Sequence, residues 1–500
     1  MKGRYFEIFG KIFSVEYLAD KNIVIRENLK FSAELIFETE KLENIPCEVV
    51  FPKRQDEKVV LKAQFKANRF SPSEIPFVFS LNGTISNQRG NLLEIFAKKV
   101  YNLAIETSYF ATNQELSILK AEVVDLKIRE FIQQSGSQEN QKTFYFWLTQ
   151  SVQLSPFFSS ELHYNGNVSV KTHRSKSFEM IEGLKFNFIN YYFHHNDPER
   201  KNTRISESVL AAEFVGVTEH ELGESLFPEI EIFLKLVSFS ERIRVVCYGY
   251  KGFLSGEIVD FYRGDISIPK EDFNHSFNET LIDIRDFEEF ISQALSSGIS
   301  CIFKQHLFDA IGKAAYREYS SLESEYLSYY SALENLVNGY RDTYNFNYIL
   351  EGDDWKIFSN NLRGFIKQHD FFKGKEHNQS RKRQFIYEKI SELNRVSFGT
   401  AFKSFCDFYN IDISDLWSLG GGRVSTSLST IRNRLIHGGR FEREEYDAVI
   451  CAKSHLKWTL ERCILRVLDW EIERSKVRPL FLKQCIHYND WKEKMTFLKS

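Results

Sequence analysis

Hydrophobic periodicity changes once along this chain, near Phe287, and that change limits what it can fold into. Before it, short runs alternate apolar with polar residues, as in Lys185-Phe186-Asn187-Phe188-Ile189-Asn190, the period of a half-buried strand. After it, apolar residues recur every three or four positions. Leu322, Tyr326, Tyr329, Leu333 and Leu336 make one such stripe, with Gly339 placed to end the helix. Five hundred residues exceed one hydrophobic core. The expected fold is therefore α+β multidomain: a β-rich, sandwich- or barrel-like N-terminal module over 1–290, then an all-α helical bundle over 291–500.

Candidate strands cover 5–13, 22–37, 48–51, 59–65, 92–100, 144–148, 184–193, 209–217, 242–250 and 253–261, with a short helix at 227–242. Turn signals separate them at Leu81-Asn82-Gly83-Thr84, Asn165-Gly166-Asn167 and Arg263-Gly264-Asp265. A polar loop at 133–142 is a candidate division into two lobes. Helices are predicted at 322–337, 355–369, 383–393, 401–409, 425–437 and 442–473.

The chemistry concentrates near the C-terminus, in Ser429-Thr430-Ile431-Arg432-Asn433-Arg434-Leu435-Ile436-His437-Gly438-Gly439. Arginine offers phosphate a planar fork of donors, and histidine moves protons near neutral pH. On a helix over 425–437, Leu428, Ile431, Leu435 and Ile436 form the core face, and Arg432 falls within or beside it. A guanidinium there needs a partner. Either an acid on a neighbouring helix supplies one, with Glu334 the candidate, or the face lines a subunit seam. Asn433 and His437, four apart, share a face that Arg434 borders. Arg432 and His437 are about 140° apart on an ideal helix and cannot grip one phosphate from there. Two arrangements remove the difficulty: the last turn unwinds at the glycine pair, or two copies face each other across a dimer axis.

The spacing resembles the Arg-Asn-x-x-x-His signature of HEPN-domain ribonucleases. The longer run Arg432 to Gly439 is most similar to the ApeA-type HEPN proteins of anti-phage defence, together with an upstream helix reading Tyr329-Tyr330-Ser331-Ala332-Leu333-Glu334-Asn335-Leu336. The resemblance covers about the last two-fifths of the chain, and the first half fits the family's β-rich N-terminal domain loosely. It implies an endoribonuclease that needs no metal or other cofactor, cutting RNA by 2′-OH attack at a composite site between two subunits. It also implies a role for each residue. Arg432 stabilises the charged transition state, and His437 is the general acid or base or holds the attacking hydroxyl. Asn433 orients His437 or the phosphate. Glu334 orients Arg432, and Arg434 has a supporting place. The implied partners are RNA, tRNA among the candidates, a second copy of the chain and a phage-derived trigger. The competing reading is a HEPN scaffold or nucleotide-binding protein without catalysis. A third makes Arg432 and His437 structural, with function in the β module.

The formal net charge of −3 excludes a whole-surface grip on nucleic acid and requires a local basic patch. Lys373, Lys375, His377, Arg381, Lys382 and Arg383, between helices, are the best candidates, and Arg423 joins them after the glycine run 420–422. That run lacks the Lys-Ser/Thr of a nucleotide-binding loop. His194, His195, Asp197 and Glu199 cluster, but no second group completes a metal site. The seven cysteines stand singly, and no apolar run reaches the length of a membrane span or leader peptide, so a cytoplasmic protein is expected.

Overall fold

A computed structural model describes residues 5–8, 11–14, 28–37, 41–51, 59–66, 77–86, 90–109, 115–132, 143–149, 151–154, 158–162, 168–172, 176–181, 184–196, 204–215, 227–254 and 256–264 of the first half. In the second half it describes 280–315, 321–372, 377–420 and 426–498. The predicted turn at 165–167, the loop at 133–141, Asp197, Glu199 and Arg423 lie outside the described residues. The chain divides into two compact units, Met1–Glu279 and Thr280–Ser500.

The first unit is β-rich. Its strands are β1 Tyr5–Ile8, β2 Lys11–Ser14, β3 Leu29–Ile36, β4 Lys41–Val50, β5 Val60–Lys66, β6 Val78–Ser86, β7 Leu92–Tyr109, β8 Glu115–Val123 and β9 Asp125–Phe131. They continue as β10 Thr143–Leu148, β11 Phe158–Leu162, β12 Val168–Thr172, β13 Lys176–Ile181, β14 Leu184–Asn196, β15 Arg204–Val215, β16 Cys247–Leu254 and β17 Glu257–Arg263. Among the described residues one helix, α1 Phe227–Glu241, interrupts them. Thirteen strands form one antiparallel sheet in the order β13-β14-β15-β10-β16-β17-β9-β7-β6-β3-β4-β5-β8. An added β7–β8 pairing closes β3 to β8 into a barrel. Alternation fills its core: Phe31, Ala33 and Leu35 point inward from β3, and Leu119, Ala121 and Val123 from β8. Beyond the barrel, α1 covers the open part of the sheet, with Phe233 stacked on Phe188 and edge-on to Phe178.

Two local expectations are corrected. Leu81-Asn82-Gly83-Thr84 is not a turn but the middle of β6. Gly83 is there because the Phe31 ring lies across it: a Cβ would come within 2.4 Å of that ring. Nor does Gly339 end its helix, which runs on to Thr343. It lies inside, where a Cβ would meet His306 at 2.8 Å.

The second unit is helical: α2 Phe287–Ser300, α3 Lys304–Ala315, α4 Leu322–Thr343, α5 Gly352–Gln368, α6 His377–Ile390, α7 Phe398–Tyr409, α8 Leu428–Ile436 and α9 Tyr446–Val467, followed by three short helices α10 Pro479–Leu482, α11 Ile486–Asn489 and α12 Trp491–Phe497. α9 is the central rod, buried from Trp458 to Leu465, with Cys451 and Cys463 in the core. By contrast, α5 buries only Ile366.

Polar side chains hold the C-terminal segment to α9. His455 is fully buried; the Trp417 N–H donates to its Nδ1 (3.0 Å) and its Nε2 donates to the His487 carbonyl (2.9 Å). Only the neutral ring fits that pair of bonds. Burial accordingly pushes its pKa down from 6.5 to about 4. The unfolded chain therefore binds a proton that the folded chain refuses between pH 6.5 and 4. Stability from this site is complete above pH 6.5 and falls as the pH drops towards 4, by about 3 kcal/mol in all. Denaturant melts at pH 7.5 and pH 4.5 measure it. A His455→Gln variant is expected to lose less stability over that interval than the wild type.

Candidate active site

α8 is a nine-residue helix with both ends fixed by local chemistry. At its start, Ser427 and Thr430 form a reciprocal capping box. At its end, Gly438 takes the left-handed conformation (φ 76°). The Gly438 N–H donates to the Leu435 carbonyl (3.1 Å) and the Gly439 N–H to that of Arg434 (2.8 Å), the paired bonds of a Schellman stop. Both glycines are required: a Cβ on Gly439 would lie 2.7 Å from Arg434 Cγ.

The stop settles how Arg432 and His437 relate within one chain. The His437 N–H still donates to the Asn433 carbonyl (3.1 Å), and its backbone stays near helical at φ −83°, ψ 13°. The chain leaves the helix after His437, not before it. Unwinding of the last turn is therefore not how the two side chains could meet, and they remain on different faces of α8. Of the expected core face, Leu428 and Ile431 are buried and Leu435 half-buried, but Ile436 is half exposed, because α8 ends beside it.

A ladder from α4 aligns α8. Tyr326, Tyr330 and Glu334 lie one turn apart on one face of α4. Tyr326 Oη donates to the Leu428 carbonyl (2.8 Å), and Tyr330 Oη bonds Ser429 Oγ (2.7 Å). Arg432 Nη2 donates to both carboxylate oxygens of Glu334 (3.3 and 3.4 Å). The Arg432 guanidinium also lies 5.5 Å from the centre of the Tyr330 ring, and its Nη1 donates to Asn433 Oδ1 (3.1 Å). Burial raises the Tyr330 hydroxyl above its ordinary pKa, so it stays a neutral hydrogen-bonding group.

Arg432 and Glu334 each keep about 30% of their side-chain surface in water, so this is a held but reachable cation. Asn433 and His437 are exposed. Among the described residues none hydrogen-bonds the His437 ring. Asn433 Oδ1 accepts from Arg432, and among the described residues no hydrogen bond joins the Asn433 and His437 side chains.

Arg434 is placed differently from the rest. It forms a bidentate pair with Glu445 (2.8 Å at each oxygen), donates to the Arg440 carbonyl and stacks over Phe441 at 4.3 Å. Glu445 is 3% exposed and also accepts the Glu442 N–H. Arg434 thus fastens the segment after the glycine stop to the start of α9. Replacing it with alanine strands a buried carboxylate and is expected to cost about 2–4 kcal/mol. Arg432→Ala breaks a half-exposed pair and is expected to cost about 0–1 kcal/mol. Denaturant melts of the two variants side by side distinguish these roles.

The basic residues lie apart from this cluster in sequence. Arg381, Lys382 and Arg383 belong to α6 rather than to a loop, because the helix begins at His377, earlier than its apolar pattern suggested. Arg381 and Lys382 are exposed, whereas Arg383 is half-buried and bonds Ser380.

Comparison with protein-family models, with curated proteins and with solved structures returns no match to this chain. Among the described residues, no helix is long and apolar enough to cross a membrane.

Proposed function

We propose that the protein is a metal-independent endoribonuclease of the HEPN type, acting as a homodimer or larger assembly in cytoplasmic anti-phage defence. The observation that carries this reading is the state of the motif: an arginine held by Glu334 with about 30% of its side chain in water, and five residues on an exposed histidine whose ring bonds no described residue. Because each α8 stays regular through His437, the reading places the reaction between two copies, Arg432 of one beside His437 of the other.

In such a site the RNA 2′-OH attacks the neighbouring phosphorus. One imidazole takes the 2′ proton, the other gives a proton to the departing 5′ oxygen, and Arg432 meets the charge that builds on the phosphoryl oxygens. The products are a 2′,3′-cyclic phosphate and a 5′-OH. The helical unit supplies the chemistry. The β unit senses a phage trigger, restrains the nuclease or helps to select RNA, so that RNA is cut only during infection.

The test is incubation of purified protein with total RNA, and separately with tRNA, in EDTA, with both product ends mapped. Cyclic-phosphate ends support the proposal, and cleavage that EDTA abolishes overturns it. If purified protein is silent, the same assay in lysate of infected cells decides between an untriggered nuclease and a binding scaffold without catalysis.

A further inference from the structure

The segment 355–389 holds nine of the chain's 65 Lys and Arg but only three of its 68 Asp and Glu. Elsewhere the balance is acidic. Within it the cations at the flanks are neutralised: Lys356 by Asp353 and Lys389 by Glu392. Among the described residues no carboxylate pairs with Arg381 or Lys382 between them. These two instead lie over aromatic rings. Arg381 is 5.6 Å from the centre of Phe385, and Lys382 is 5.6 Å from that of Phe371, in the turn after α5. Phe371 and Phe385 are 61% and 54% exposed. Arg381, Lys382 and Phe385 fall within about 100° of one another around α6, one face, and Lys382 joins Phe371 to it. Arg383 lies about 200° round from Arg381 and is not part of this face.

Two large rings left in water, each carrying on one side a cation that no described carboxylate pairs, are costly as a bare surface and useful as a ligand platform. The charge requires a polyanion. The flat open faces require a planar apolar group exposed alongside that charge. A single-stranded nucleic acid offers both, whereas a duplex hides its bases. We propose that the face formed by Phe371, Arg381, Lys382 and Phe385 binds unpaired RNA, the rings stacking on bases and the cations contacting flanking phosphates. The choice of RNA over DNA rests on the ribonuclease reading; the stacking geometry does not. Stacking and phosphate contacts make recognition one of unpaired structure, with little base preference.

The experiment uses full-length protein carrying His437→Ala, so that bound RNA is not cut. Binding of a fluorescent, unstructured 12-nucleotide RNA is read by anisotropy across a salt series, with the same RNA in duplex and the matching DNA strand as competitors. Single-stranded RNA is expected to bind the more tightly. Each of Phe371→Ala and Phe385→Ala is expected to weaken it roughly 10-fold or more, while Phe385→Tyr retains binding. Arg381→Gln and Lys382→Gln should each lower the salt slope by about 0.7. Unchanged affinity in the double phenylalanine variant, or equal binding of the duplex, overturns the proposal. So does a change in oligomeric state in that variant without a change in RNA affinity, which would make the rings a protein contact. Ring-dependent binding by a protein that never cleaves RNA would retain the platform and remove the nuclease. Cleavage indifferent to the rings would do the reverse.

Discussion

His437→Ala is expected to lower RNA cleavage by about 10²–10⁴-fold and to leave the melting curve in place. The ring is exposed and makes no hydrogen bond to a described residue, so no described contact is lost with it. Only its backbone caps α8, and alanine keeps that bond. The stronger form of the experiment mixes His437→Ala with wild-type subunits in equal amounts. A site that needs the imidazoles of both subunits is intact only in wild-type homodimers, so random mixing should leave about a quarter of wild-type activity. Sites contained within one chain predict about a half. Loss of stability in His437→Ala would instead point to a structural histidine.

Arg462→Met is expected to cause the largest loss of stability, about 3–5 kcal/mol, enough to unfold a marginal domain at 37 °C. The Arg462 side chain is 1% exposed and its donors are distributed over distant segments. It pairs through two bonds with Asp415 (2.5 and 2.8 Å) and donates to the carbonyls of Asp412 and Val477, each at 2.9 Å. Tyr488 Oη donates to the same Asp415 carboxylate (2.6 Å). Methionine fills the volume but leaves that carboxylate with Tyr488 alone and takes the Arg462 donor from two carbonyls. Thermal and urea melts measure the loss. A shift no larger than that of a surface substitution would show the network to be energetically slack.

What could be read from the sequence, and what could not, follows from range. The strand-to-helix change, α1 and the long helices are local periodicities, and the structure has a β-rich unit followed by helices. The Arg432–Glu334 juxtaposition was anticipated, because a cation on a helix with an apolar stripe needs an acid and the resembling helix offered one. Other features depend on what lies opposite in space. Gly83 is punctuation in the sequence and a packing site in the fold, since Phe31 comes from another strand. Arg434 is indistinguishable from Arg432 by type and spacing. Their separation rests on Glu445, which the sequence shows only as one acid in a charged run. The rings beside Arg381 and Lys382 were equally hidden, because nothing local says that Phe371 and Phe385 remain in water.

The pairing of β7 has a consequence for how the first unit comes apart. β7 and the return strand from Glu115 to Phe131 are one long antiparallel hairpin, forked at Val124. Beyond the fork β8 leaves to join β5 and close the barrel, while β9 leaves to join β17 and the open sheet. Val124 is buried, takes the Gly264 N–H on its carbonyl and donates to the Lys99 carbonyl. Barrel and open sheet therefore share a covalent spine, and neither can slip register without forcing the other to follow. The thirteen-stranded sheet is therefore expected to come apart as one cooperative element, a perturbation at the barrel reaching the open sheet along the length of the hairpin.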